Sequence, residues 1–491
     1  MINNGFKGPN MRNDMIFELK RPKPLLPDSL FWTWDHSTNW TLDDPGFPNE
    51  GCYNRYTKKP GTFLKDYMSL IDFCSGLGIS GIIIYGFLRD SHGGIGYSKQ
   101  IADHGSSKGV KILPGVGTTW YGGPYYEGSH YYNMESFLKN NPDLIIKDEK
   151  GAPLQYAGTH GLCPSNHRCR EWIREGIKWL FDEFSIDGIN LENGDFVVCY
   201  CPECREHKEK WPAGDPDFFR HQALGYEEPL KTLAEIKELR KDILITWATY
   251  TGFLPGMGEP MNQIRQMDGL HLYCDRPAIF DKLGSLEVAQ WTISHMINKQ
   301  PLPLLDFLDE GIPPKVYCNE NWPVNLRPPS QRSIGFMHQG SQWSGASRYD
   351  QVISSIKEAC LRSYDSGLKG LVIHGEVSPQ HIPAALNYLA FSHFTHWPQD
   401  SLREFGRKTL GQIFEDEKEG ELYAQILAFW DSKKLEESHI STVNNIWNRL
   451  EKYFRIGSSE ETDTNYRRSR FWYWLRKMVN NIHEEHTVSI F

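Results

Sequence analysis

The chain contains no run of about 18 apolar residues, so no segment is long and apolar enough to span a bilayer as a helix. It also lacks a basic block. The formal charge is −9, whereas a nucleic-acid binder neutralises phosphates with clustered Lys and Arg. Membrane and nucleic acid are therefore excluded as expected partners. Met1–Lys20 mixes Asn, Gly, Lys, Arg and Asp without the apolar core and small-residue cleavage site of a secretory leader, so the expected location is the cytoplasm. No glycine-rich dinucleotide or phosphate fingerprint follows any strand-like run. Internal repeats and low-complexity tracts are missing as well. Ten cysteines in 491 residues do not make a disulfide framework; they suit burial, chemistry or metal binding.

What is present is an alternation of short apolar runs with amphipathic ones, the mark of an α/β protein with a parallel sheet. Strands are expected at 30–34, 81–85, 110–114, 186–191, 243–248, 269–273, 316–319 and 371–374. Helices are expected at 63–77, 99–108, 166–184, 230–240, 285–298, 351–366 and 383–394. Ser165 or Asn166 can cap the helix that begins there. Eight βα units in about 370 residues is the count of a (β/α)₈ TIM-type barrel with long βα-loop insertions. A doubly wound open sheet is the alternative. The expected organisation is an N-terminal arm over 1–25, a catalytic barrel over 26–399 and a helical C-terminal region over 400–491. That last region packs on the barrel or serves a homodimer.

In a barrel of this kind, function sits at the C-terminal strand ends. Those ends supply Asp35 and His36; Arg89; Trp120 and His160 in the insertion after the third strand; Glu192, Asn193 and Asp195; Trp247; Tyr273; Asn319, Glu320 and Trp322; and His374 and Glu376. Carboxylates set among aromatic rings suit sugar chemistry. Cleaving a glycosidic bond needs one carboxyl as proton donor and a second as nucleophile or base, and aromatic faces stack on sugar rings. The segment Thr118–His130, rich in Gly and Tyr, reads as a lid.

Glu192 after the fourth strand and Glu320 after the seventh resemble the acid/base and nucleophile pair of the clan A glycoside hydrolases. Members of that clan usually carry Asn directly before the acid/base Glu, whereas here Leu191 precedes it and Asn193 follows. The motif Cys199-x-Cys201-x-x-Cys204 resembles the zinc loop of the family 42 β-galactosidases. Cys163 stands where that family places its fourth cysteine, and His207 is the competing ligand. The resemblance implies a structural Zn²⁺ pinning the loop after Glu192 and no cofactor for the chemistry. Asp35 with His160 resembles the inverting exo-sialidases, which implies hydrolysis of an acidic sugar read by an arginine such as Arg89, Arg168 or Arg170. The expected function is a glycoside hydrolase that removes a terminal sugar from a carbohydrate substrate. The alternatives are the sialidase-like reaction and a non-catalytic carbohydrate-binding barrel.

Overall fold

A computed structural model describes residues 17–47, 56–156, 158–193, 198–209, 217–248, 288–292, 304, 334–337, 346–365, 367–454 and 462–488. Two compact units emerge. One holds residues 21–302 and 312–399, and the other holds residues 1–20, 303–311 and 400–491.

The larger unit is built on eight short strands: β1 (Leu30–Trp34), β2 (Gly81–Tyr85), β3 (Lys111–Gly117), β4 (Gly188–Glu192), β5 (Leu244–Ala248), β6 (Val288–Thr292), β7 (Ile334–Met337) and β8 (Gly370–His374). Each strand pairs in parallel with the next, and β8 returns to β1, so the sheet closes on itself. Both faces of β1, β2, β4 and β8 are buried. That is why these strands read as continuous apolar runs rather than alternating ones. Closure needs close backbone approach. A Cβ on Gly188 would lie 2.0 Å from the Leu244 carbonyl oxygen of the paired strand.

Helices α1 (Pro60–Leu77), α2 (Gly94–Lys108), α3 (His167–Glu183), α4 (Asp217–Leu239), α5 (Ile353–Asp365) and α6 (Ile382–His396) follow β1, β2, β3, β4, β7 and β8 respectively. Pro60 starts α1 at the position where its missing N–H costs nothing, and Gly78 ends it in the left-handed region at φ 66°. Of the two expected caps for α3, Asn166 makes the bond, accepting from the Arg168 amide at 3.0 Å. The helix α4 begins well before 230 and runs through Pro229.

One expected element is corrected. The helix expected over 285–298 contains β6, because Val288–Thr292 is a β-rich segment that the sheet recruits. The next strand of the ring is Ile334–Met337. The runs expected at 269–273 and 316–319 lie outside the described residues.

In the smaller unit, α7 (Glu417–Asp431), α8 (Glu437–Phe454) and α9 (Asp463–Val488) form a helical cluster. Asp416 caps α7 by accepting from the Lys418 and Glu419 amides at 2.9 and 3.1 Å. Val443, Ile446, Trp447 and Leu450 of α8 and Phe471, Trp472 and Leu475 of α9 are buried. The aromatic run at 471–475 is thus partly core. Among the described residues no helix is long and apolar enough to cross a membrane.

Candidate active site at the strand ends

Strand parity decides where Glu192 points. The Asn190 side chain bonds the Tyr85 hydroxyl (2.8 Å) and the Thr246 hydroxyl (2.6 Å) across the inside of the ring. Side chains two apart on a strand share a face, so Glu192, the last residue of β4, projects to that interior at the C-terminal mouth. It is 2% exposed. Its carbonyl accepts from the Thr118 amide at 2.7 Å, which ties the end of β4 to the end of β3. Asn193 follows as a braced residue: its Oδ1 accepts from the Thr118 and Thr119 hydroxyls at 2.9 and 2.7 Å, and its amide donates to the Tyr226 hydroxyl at 3.0 Å.

On the far side of the mouth, β8 delivers His374 and Glu376, both fully buried. Glu376 Oε1 accepts from the Trp34 amide at 3.3 Å and lies 3.4 Å from His374 Nδ1. Three buried polar atoms around the strand ends have no hydrogen-bond partner: Trp120 Nε1, Asn193 Nδ2 and Glu376 Oε2. Native interiors rarely leave such groups unpaired, and these stand at one end of the sheet, where they could meet a polar ligand. Trp247 pairs in register with Leu191 and faces the other side of the sheet from Asn190 and Glu192.

Asp35 is held differently. Its carboxylate lies 2.5 Å from Arg89 Nε and 3.4 Å from His92 Nε2. Burial alone would raise its pKa, but the Arg89 charge and the His92 hydrogen bond outweigh that and hold it down at about 2. Arg89 is buried, also pairs with Glu127, and lies over the Tyr126 ring at 4.4 Å. His36 is buried, with Nδ1 3.0 Å from the Phe47 carbonyl, and burial lowers its pKa. His160 belongs to another group: its Nδ1 is 3.2 Å from Glu135. The structure thus gives Asp35 and His160 separate partners. Of the other arginines considered, Arg168 pairs with Asp143 and Arg170 with Glu227. Asp195, Tyr273, Asn319, Glu320 and Trp322 lie outside the described residues.

The segment Thr118–His130 is a wall rather than a lid. Trp120, Tyr121, Tyr125 and Tyr126 are buried, Tyr125 stacks on His130 at 4.6 Å, and Asn133 donates to the Tyr125 and Tyr126 carbonyls. Sequence reasoning missed Glu135 and His92 as partners of the expected residues. Only His92 had a local signal, three residues after Arg89 at the start of a turn.

The cysteines gather as a set. The sulfurs of Cys163, Cys199, Cys201 and Cys204 all lie within 4.8 Å of one another and are buried. The Lys147 amide donates to Cys199 Sγ and the Cys204 amide to Cys201 Sγ, each at 3.4 Å. Backbone donors aimed at sulfur suit thiolates, and four sulfurs at this spacing form a donor set that could hold a metal ion. Cys163, from before α3, completes the set, and His207 is not part of it.

No protein-family model matches the chain, and no curated protein matches it. Among solved structures it is similar to an α-amylase from Geobacillus thermoleovorans, with 12% identity, a TM-score of 0.42, and coverage of 77% of this chain and 80% of that one. It is also similar to a noncanonic maltogenic α-amylase from Thermotoga neapolitana, with 10% identity, a TM-score of 0.40, and coverage of 76% and 77%. A third is α-L-fucosidase isoenzyme 2 from Paenibacillus thiaminolyticus, with 11% identity, a TM-score of 0.39, and coverage of 75% and 49%. Likenesses at this level assign neither fold nor activity.

Proposed function

We propose that the protein is a glycoside hydrolase that removes a terminal sugar, with Glu192 as the proton donor. The observation that carries this reading is the placement of a buried Glu192 carboxylate on the inward face of β4, at a mouth where buried polar atoms stand unpartnered. Glu192 protonates the glycosidic oxygen as the bond to the anomeric carbon breaks. A second carboxylate attacks that carbon or activates a water, and the proton returns when water completes hydrolysis. Glu320 is the sequence-based candidate for the second carboxylate. Among the described residues, Glu376 offers one with a partnerless oxygen at the same mouth. His36, Arg89, Trp120, Asn193 and His374 shape the pocket, with Asp195, Tyr273, Asn319 and Trp322 as further candidates. We further propose a complete (β/α)₈ barrel and a structural Zn²⁺ on the four cysteines that steadies the loop after Glu192 and takes no part in the chemistry.

The test is a panel of aryl glycosides, including a sialoside, followed by NMR to read the anomer released. Glu192→Gln should lower kcat at least about 100-fold with an unchanged circular dichroism spectrum. Near-wild-type turnover in that variant removes Glu192 from the mechanism. Comparing Glu320→Ala with Glu376→Ala, each with added azide, identifies the second carboxylate: the nucleophile variant recovers turnover and yields a glycosyl azide.

A further inference from the structure

Beyond the strand ends lies a cleft of about 650 Å³, formed by the insertion between β3 and α3 together with Arg89. Tyr126 and Ile145 give it apolar surface, and Glu127, Glu135, Lys139 and His160 give it polar surface. It adjoins the mouth. Tyr126, at its inner end, meets the Trp34 ring edge-on at 6.3 Å, and Arg89 beside it grips Asp35. Glu127, Glu135 and His160 each have a partner. Glu135 accepts from the His160 amide at 2.5 Å and lies 3.2 Å from His160 Nδ1. With Glu135 at Nδ1, Nε2 is the ring nitrogen left to meet a ligand. Glu127 gives Oε2 to Arg89 and remains 41% exposed.

Charges of both signs line this cleft, so it does not select a charged ligand. Carboxylate and imidazole groups beside a partly apolar wall suit the hydroxyls and the apolar face of a sugar ring. We propose that the cleft is a second sugar subsite, taking the uncharged ring on the leaving-group side of the bond cut at Glu192. This rests on the hydrolase reading.

The experiment compares a nitrophenyl glycoside with the trisaccharide of the same sugar, in the wild type and in His160→Ala. The ratio of kcat/KM for the trisaccharide to that for the nitrophenyl glycoside should fall about tenfold, through KM. An equal loss on both substrates, or no loss on the trisaccharide, overturns the subsite. Glu135→Gln, which keeps the shape of the side chain, provides the same comparison if His160→Ala fails to fold. A preference for a uronic acid over the neutral sugar at that position overturns the uncharged class. If the wild type cleaves nothing, the hydrolase reading fails by itself, and the cleft is judged by saturation-transfer NMR with maltotriose, cellotriose and xylotriose. Signal lost in His160→Ala supports the site. Equal signal in both proteins, or none in either, overturns it.

Discussion

At the scale of single residues, Asp35 shows how partners decide a role. A carboxylate at the end of a barrel strand reads as catalytic from sequence, yet here it is buried and clamped by Arg89 and His92. Removing Asp35 leaves the buried Arg89 with only the partly exposed Glu127 as its counter-charge, so Asp35→Asn should cost about 3 kcal/mol in denaturant unfolding. Because the folded pKa lies near 2, below the unfolded value of about 3.9, Asp35 stabilises the fold above pH 4. That contribution, roughly 2 kcal/mol, should vanish as pH falls from about 4 to 2. An acid titration of Asp35→Asn should lack this part of the loss. Gly86, at φ 77°, sits where a Cβ would come within 2.1 Å of the Asp35 carboxylate. Gly86→Ala should therefore destabilise through the same ion pair.

At the scale of elements, caps and staples set the edges. Asn166→Ala should lower stability by about 1 kcal/mol, because α3 loses the acceptor for its second amide. The cysteine set joins the loop after β4 to the segment before α3, two pieces well separated along the chain. If it holds zinc, purified protein should carry about one equivalent by elemental analysis, and Cys201→Ser should carry far less. A zinc-free wild type that keeps its melting temperature would remove the metal from the account. The helix expected over 285–298 gave way to β6, a segment of high strand propensity that its pairing partners β5 and β7 bring into the ring.

At the scale of the whole molecule, closure of the sheet creates the site. It brings the ends of β3, β4, β5 and β8 around one mouth, although they are spread over most of the chain. Gly188→Ala should disturb the β4–β5 register at its tightest point and cost about 1–3 kcal/mol, measured as a lower unfolding midpoint. The smaller unit, with its own buried aromatic cluster, accounts for the change of sequence texture near residue 400.

The sequence by itself determined the α/β class, most strand positions and the place of Glu192 at the end of its strand, and it narrowed the cap of α3 to two residues, because these follow from local periodicity and from which residue ends each strand. It also singled out the cysteine set, since three of its members are adjacent in sequence. Only the tertiary structure decided that Asp35 is tied to Arg89, that His160 belongs with Glu135, and that the Tyr-rich insertion is a packed wall. Those outcomes depend on partners distant in sequence, whose distances and burial no local pattern encodes. They decide whether a carboxylate braces the fold or remains available for chemistry.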